Sequence, residues 1–164
     1  MHILEQIVAH KREVVNSLKK QLPQSQLMQI TDAAPSPLSL LDSLQSERTN
    51  GIIAEFKRQS PSAGVINSQA DIAEVARGYM QAGCAGISVL TDQRFFGGTA
   101  RDFRTVSAIA NIPLLRKDFI IDPYQVLEAR AMGASAILLI ASVLDSSALQ
   151  DFTNQAHELG IDRK

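Results

Sequence analysis

The spacing of apolar residues divides the first part of the chain into a helix, a linker and a second short helix. In residues 3–20 the apolar positions recur at a helical period, which predicts an amphipathic helix with basic residues such as Lys11 and Arg12 mostly off the apolar face. Residues 21–37 are rich in Pro, Gln and Ser, which predicts a loop. A short helix is expected at residues 38–44.

From residue 51 onward the pattern alternates between short apolar runs and helical periods. The runs predict buried strands at residues 52–57, 87–90, 112–116 and 136–140. The helical periods predict helices at residues 71–82, 99–110, 122–133 and 146–159. Thr99 with Asp102 has the spacing of a capping box, and Asp122-Pro123 is a typical helix start. A polar loop is expected at residues 91–98.

Four successive βα units of this kind predict right-handed crossovers and a parallel sheet. The sheet could be open and doubly wound, or it could belong to a (βα) barrel. No predicted strand is followed by a GxGxxG sequence or a P-loop, which argues against the open sheet. Polar residues cluster where the predicted strands end, which favours the barrel. They are Glu55, Lys57, Thr91 and Lys117.

The end of the first strand is the most informative stretch. Side chains alternate along a strand, so Glu55 and Lys57 face one way while Ala54 and Phe56 face the other. The apolar residues before them predict a strand covered on both faces. An acid and a base at the end of such a strand are costly unless they are paired or used. The loop at residues 58–66 is long for a simple connector, so we interpret this edge as an active site, with a structural ion pair as the alternative.

Composition narrows the class of protein. A net charge of −1 and a pI near 6.3 give no electrostatic case for binding nucleic acid or an anionic membrane. The single cysteine, Cys84, predicts a small core residue and a reducing compartment, and no apolar run is long enough to span a membrane. We therefore expect a soluble cytoplasmic protein. The three histidines lack metal-ligand spacing, so we infer no metal and no organic cofactor.

Four motifs together are specific enough to identify a family. They are LEQIVAHKREVV, IIAEFKRQSPSAGVI, GISVLTDQRFFGG and PLLRKDFIIDPYQVLEARAMGASAILLI. In this order they resemble indole-3-glycerol phosphate synthase, which closes the indole ring in tryptophan biosynthesis. The resemblance implies a (βα)8 TIM barrel with an N-terminal helical extension. It also implies conversion of 1-(2-carboxyphenylamino)-1-deoxyribulose 5-phosphate into indole-3-glycerol phosphate, with release of carbon dioxide and water.

The resemblance also implies roles for particular residues. Lys117 matches the family's general acid, and Lys57 matches the second lysine, which contacts the substrate carboxylate and assists dehydration. Glu55 matches the carboxylate that pairs with these lysines. The remaining matches are to a loop over the anthranilate ring and to the apolar slot that holds the ring. They are Ser60 and Pro61 in the loop, and Leu90, Phe96, Phe119 and Leu138 in the slot.

The length of the chain sets further expectations. A barrel of this type has eight βα units in typically about 250 residues, whereas this chain of 164 residues carries the helical extension in residues 1–48 and about four units in residues 49–164. The family's general-base glutamate, its asparagine and its phosphate-binding loops are expected on strands five to eight. We therefore expect the 164-residue chain alone to be inactive, and to associate with a second copy or with the missing half.

Two alternatives remain open at this point. One is another ribulose-phosphate-binding barrel such as phosphoribosylanthranilate isomerase, although Cys84 precedes its strand and does not end it, as that enzyme's acid–base pair would require. The other is an inert half barrel that associates with itself. The small-molecule substrate, with no nucleic acid or membrane partner, belongs to the enzyme interpretation.

Overall fold

The computed structural model describes residues 2–161 as a parallel sheet with helices packed on its outer face. In chain order the elements are α1 (Ile3–Gln21), α2 (Gln24–Ala33), α3 (Leu40–Gln45), β1 (Ile53–Phe56), β2 (Gln59–Ser60), β3 (Gly64–Val65), α4 (Ile72–Gln81), β4 (Gly86–Leu90), α5 (Gln93–Phe96), α6 (Ala100–Ser107), β5 (Leu114–Lys117), α7 (Pro123–Ala131), β6 (Ala136–Ile137) and α8 (Ser146–Glu158).

The order of the strands identifies the architecture. The main sheet has the order β1-β4-β5-β6, and every neighbouring pair is parallel. Each new strand is added on the same side of the one before it. A doubly wound sheet reverses this direction at a switch point, whereas a barrel does not. The predicted α/β fold, with successive βα units of a (βα)8 barrel, is therefore confirmed.

Short polar side chains start most of the helices where the sequence predicts them. Thr99 and Asp102 form the predicted capping box of α6, in which each side chain accepts a hydrogen bond from the other residue's backbone N–H. The Asp122 carboxylate caps α7 by accepting from the Tyr124 N–H, with Pro123 as the first helical residue. These caps fix where each helix leaves the end of its strand.

The main core lies between the sheet and the helices. Val89 of β4, Phe103 and Val106 of α6 and Val126 of α7 are fully buried there. Because side chains alternate along β1, Phe56 joins this core while Glu55 faces the opposite side of the sheet. The core thus holds the strands from one side and leaves the other side for polar chemistry at the strand ends.

The predicted loop at residues 21–37 is wrong, because α2 occupies Gln24–Ala33. Leu27 of this helix is 2% exposed and belongs to a second core cluster with Val15, Tyr124 and Leu127. The Thr31 hydroxyl also bonds the carbonyl oxygen of Leu127 in α7. The helix is therefore stabilised by contacts with distant residues, which overrides the turn-like composition of the segment.

The prediction that the first strand is covered on both faces is also wrong. Ile52 is 54% exposed and Ile53 is 37% exposed. Strand β1 lies at the edge of the sheet, and in residues 2–161 the helices cover only the face that bears Phe56. The predicted strand at residues 136–140 is shortened to Ala136–Ile137, which pairs with β5 on one side. Both strands thus lack a second neighbour within the described part of the chain.

The loops after β1 and β4 contain more structure than the pattern predicted. Residues 58–66 include the antiparallel pair β2–β3. The predicted loop at residues 91–98 contains the single-turn helix α5, which the Asp92 carboxylate caps by accepting from the Phe95 N–H. Other ends differ by a few residues, as where α6 ends at Ser107 and not near Ala110. These differences leave the order of elements unchanged.

Cys84 is buried just before β4, in agreement with its prediction as a small core residue. His2 caps α1, and His10 packs the edge of its ring against Phe95. Within residues 2–161, no helix combines the length and the apolar character that a membrane crossing requires.

The packing of α2 generates a prediction about stability. The substitution Leu27→Ala removes a buried side chain between α2 and α7, so we expect it to lower the free energy of unfolding by about 2–5 kcal/mol. The matched control is Met28→Ala on the exposed face of the same helix, since Met28 is 47% exposed. Its effect should stay within about 0.5 kcal/mol. Urea unfolding measures both changes, and equal effects would contradict the packing of α2 on α7.

Candidate active site

A cavity of about 140 Å³ lies at the carboxyl end of the parallel sheet. Seven of the nine predicted site residues line it together: Glu55, Lys57, Leu90, Phe96, Lys117, Phe119 and Leu138. The parallel register brings them together, because Leu90 pairs with Lys117 across β4 and β5. The volume is close to the ~150 Å³ of an engineered apolar cavity that binds benzene. A single aromatic ring therefore fits the space.

The polar end of the cavity is built around one carboxylate. The Lys117 ammonium lies 3.0 Å from Glu55 Oε2, and the Lys57 ammonium lies 3.4 Å from Glu55 Oε1. The Ser88 hydroxyl donates to Glu55 Oε2 at 3.1 Å, since Ser88 is the register partner of Glu55 on β4. Each lysine ammonium has N–H donors beyond the one directed at Glu55, and an anionic ligand can accept hydrogen bonds from them.

The environment of Glu55 keeps it ionised. Burial alone would raise its pKa, but the hydrogen bond and the charge of Lys117 lower it, and so do the bonds from Ser88 and Lys57. The net result is a Glu55 pKa below its usual value. Glu55 is therefore a poor proton donor near neutral pH, and it acts by holding the two ammonium groups in place.

The other end of the cavity is apolar. Phe96 of α5 and Phe119 after β5 stand with ring centroids 6.1 Å apart, tilted by 34°. Leu90, the last residue of β4, and Leu138, which follows β6, also line this end, and Ile140 extends the wall. An apolar slot that opens onto two ammonium groups can hold a flat ring with its carboxylate at the charged end.

Two predicted site residues do not line the cavity. Ser60 lies in β2, where its hydroxyl accepts from the Ala63 N–H at 3.1 Å, and Pro61 follows it in the exposed turn. Both belong to the loop after β1, which Arg58 ties to α6 by two hydrogen bonds to the Asp102 carboxylate of 2.8 and 3.0 Å. Their role over the ligand stays a prediction.

Several residues of the site were missed by the sequence analysis. Asp92 and Asp118 line the cavity and lie within two residues of the ends of β4 and β5, a position that could have indicated them. Lys11 of α1 bonds both of them at 2.8 Å. The prediction that Lys11 lies off the apolar face is wrong, because it falls at four-residue spacing between the buried Ile7 and Val15. That spacing was the available signal.

No group of three or more His, Cys, Asp and Glu side chains that could hold a metal occurs in residues 2–161. Cys84 is buried before β4 and does not line the cavity. The polar groups that line the cavity are ammonium and carboxylate groups, and they lie beside the apolar slot.

The chain is similar in sequence to known proteins over most of its length. An indole-3-glycerol phosphate synthase from Bacteroides thetaiotaomicron is 43% identical over 160 residues, which cover 98% of this chain and 61% of that enzyme. Among solved structures, a mandelate oxidase variant with 2-hydroxy-phenylacetamide aligns over 90% of this chain and 75% of its own, at 14% identity and a TM-score of 0.45. Similarity at that level does not define a shared fold.

The family model described as indole-3-glycerol phosphate synthase matches residues 4–163, which is nearly the entire sequence. The match includes α1, all four parallel strands and every residue that lines the cavity. The chain belongs to the indole-3-glycerol phosphate synthase family.

Proposed function

We propose that this chain forms the acid and ring-binding part of an indole-3-glycerol phosphate synthase active site. The observation that carries the proposal is the Glu55 carboxylate held between the Lys57 and Lys117 ammonium groups, directly beside the apolar slot. The substrate would be 1-(2-carboxyphenylamino)-1-deoxyribulose 5-phosphate. Its aromatic carboxylate and its ring match the two ends of the cavity.

The slot would orient the ring of the substrate. Phe96 and Phe119 would contact the ring, with Leu90 and Leu138 completing the apolar wall. The loop with Ser60 and Pro61 would lie over the ring once the substrate is bound. Holding the ring in one orientation brings its carboxyl-bearing carbon close to the ketone carbon, which removes much of the entropic part of the barrier.

Lys117 would act as the general acid in ring closure. A new bond forms between the carboxyl-bearing ring carbon and the ketone carbon, and the carbonyl electron pair moves to the ketone oxygen. The proton that this oxygen needs would come from the Lys117 ammonium. The bond to the carboxyl group then breaks, carbon dioxide leaves, and its electron pair restores the aromatic ring.

Dehydration completes the sequence. The hydroxyl formed from the ketone leaves as water after a second protonation, and the neighbouring carbon loses a proton to give the indole double bond. Lys57 would contact the substrate carboxylate first and assist this step afterwards, while Glu55 keeps both lysines oriented. The overall conversion transfers no electrons to an external acceptor, so no redox cofactor is part of the proposal.

The proposal also concerns what pairs with the edge strands of the sheet. Ile52 and Ile53 are exposed, and β1 and β6 are the edge strands in residues 2–161. The chain spans 61% of the length of the Bacteroides relative. We propose that the working active site needs further strands, which would supply the base and the phosphate site. Exposed apolar edges of this kind favour association.

Turnover of the aminodeoxyribulose phosphate, followed by indole fluorescence, tests the function. We expect no product from the 164-residue chain alone, because the lysines lack a base and a phosphate anchor. Activity should appear when the part of the Bacteroides relative that this chain does not cover is added as a separate polypeptide. That polypeptide alone is the control, and it should be inactive.

Two results would contradict parts of this proposal. Product from the 164-residue chain alone would show that a complete site can be assembled from copies of this chain. Continued inactivity in the mixture, with both polypeptides folded and associated, would favour the second candidate, an inert half barrel. The exposure of Ile52 and Ile53 at the edge of the sheet is the observation that favours that candidate.

Lys117→Ala in the active mixture tests the role of the acid. We expect turnover to fall by about 10²–10⁴-fold, the usual contribution of a general acid. Stability should change by only ~0–1 kcal/mol, because the Lys117 side chain is 37% exposed. The matched control is Lys19→Ala, which breaks a similarly exposed ion pair with Asp122, since neither residue lines the cavity. Equal losses of turnover in both variants would contradict the assignment.

The lowered pKa of Glu55 predicts a pH-dependent contribution to stability. A carboxyl whose pKa is lower in the folded state stabilises the fold above its unfolded value, near 4.5, and this contribution is lost as pH falls through the folded value. The stability difference between wild type and Glu55→Gln should therefore shrink as pH falls from about 7 to about 3. Urea unfolding across that range measures the difference. A constant difference would exclude a lowered Glu55 pKa as its source.

A further inference from the structure

The Lys11 ammonium of α1 is a deeply buried charged group that does not line the cavity. Lys11 is 4% exposed, and its Nζ lies 2.8 Å from Asp92 Oδ2 and 2.8 Å from Asp118 Oδ1. Burying an ammonium group is costly unless it is fully paired. Here one cation bonds two carboxylates that stand at the ends of neighbouring strands, β4 and β5. The N-terminal helix α1 thus contacts the cavity through the two aspartates that line it.

Asp92 connects Lys11 to the first aromatic wall of the cavity. Its Oδ1 accepts from the Phe95 N–H at 2.8 Å and so starts α5, whose last residue is Phe96. Its carbonyl oxygen accepts from the Gly98 N–H at 3.0 Å. A side chain at Gly98 would collide with the Leu90 carbonyl oxygen, so this loop lies tightly on the end of β4. The Asp92 carboxylate therefore fixes where Phe96 stands.

Asp118 connects Lys11 to the lysine acid and to the second aromatic wall. It directly follows Lys117, and its Oδ1 accepts from the Phe119 N–H at 2.8 Å. Its Oδ2 accepts from the Thr91 hydroxyl at 2.6 Å and lies 3.3 Å from the Arg116 guanidinium. The backbone on both sides of the Asp118 carboxylate is thereby held in one orientation.

We propose that Lys11 is a positioning residue, which clamps the loops after β4 and β5 together and thereby sets the Phe96–Phe119 slot and the direction of Lys117. The proposal rests on the proposed function for its kinetic part, but its structural part does not. Neither loop can move away from the other without breaking a buried ion pair. The N-terminal helix is then a part of the active site's support and not only a cover for the core.

Arg116 gives a second reason why the clamp depends on Lys11. Its guanidinium bonds Asp118, the Thr91 hydroxyl, the Gln125 carbonyl and the Glu128 carboxylate. These bonds hold the loop after β5 onto α7. The Thr91 hydroxyl joins the start of the loop after β4 to Asp118, whereas the Asp92 carboxylate is joined to Asp118 through the ammonium of Lys11. Loss of Lys11 should therefore loosen the slot while β5 keeps its other contacts.

The test compares matched variants of the 164-residue chain. Lys11→Met keeps an unbranched side chain but removes the charge, and it leaves the buried Asp92 without its ion-pair partner, which can prevent folding. The double variant Lys11→Met with Asp92→Asn returns the cluster to its original net charge, and Asn still caps α5. Lys19→Met, on the same helix, and Leu27→Ala, which destabilises the fold away from the cavity, are the controls.

Amide hydrogen exchange is the readout that needs no activity. In the double variant we expect the Phe95 and Phe119 amides to exchange at least about tenfold faster, because the acceptor side chains at positions 92 and 118 are no longer held by the Lys11 ammonium. Amides in the middle of β4 and α7 should keep their wild-type rates. Lys19→Met should resemble wild type, while Leu27→Ala should raise exchange throughout the fold. Unchanged Phe95 and Phe119 rates in the double variant would overturn the proposal.

Kinetics in the complemented mixture provide the second readout. Misplacing Lys117 should lower kcat by about 10–100-fold, with a smaller rise in KM from the disturbed slot. Leu27→Ala should leave both constants unchanged under conditions where it stays folded, which separates positioning from general stability. A normal kcat and KM in a folded double variant would overturn the kinetic part. If the wild-type mixture shows no turnover, the proposed function fails, and hydrogen exchange alone decides the role of Lys11.

Discussion

The structure depends on parallel strands in a register that aligns their carboxyl ends. Glu55 pairs with Ser88 across β1 and β4, and Leu90 pairs with Lys117 across β4 and β5. Residues of one face therefore meet at one edge of the sheet, although Glu55 and Lys117 are 62 positions apart in sequence. The opposite face is occupied by the core. The Glu55 carboxylate is thus bonded by two lysines on one face without disturbing the packing on the other face, which holds the strands.

Two groups of ion pairs hold the site. At the cavity, Glu55 bonds the two lysines that line it. Beside the cavity, Asp118 bonds the Lys11 ammonium and the Arg116 guanidinium. Burial alone would raise the Asp118 pKa, but the charges of Arg116 and Lys11 lower it. Each buried charge has a partner, so the polar network costs less than an isolated charge would. The N-terminal helix belongs to this arrangement, and the family match includes it.

The sequence alone could predict the elements and residues that obey a local rule. The alternation of side chains along a strand predicted that Glu55 and Lys57 share one face. The position of Lys117 at the end of a predicted strand identified it as a candidate site residue. The sequence could not predict α2, since the burial of Leu27 depends on residues of α7 about a hundred positions later. The sequence analysis missed Lys11 because it placed this charged residue off the apolar face of α1, whereas Lys11 is buried between Ile7 and Val15. Its partners come from two distant loops, which no local pattern reveals.

The central claim is that the cavity at the strand ends receives an aromatic carboxylate. Titration of the 164-residue chain with anthranilate, followed by the shifts of assigned amide resonances, tests this claim most directly because it requires no turnover. The account predicts saturable shifts at Lys57, Phe96, Lys117 and Phe119, which surround the cavity. Absence of shifts there, or shifts confined to the groove between α1 and α8 lined by Arg12, Asn16 and Asp145, would contradict it.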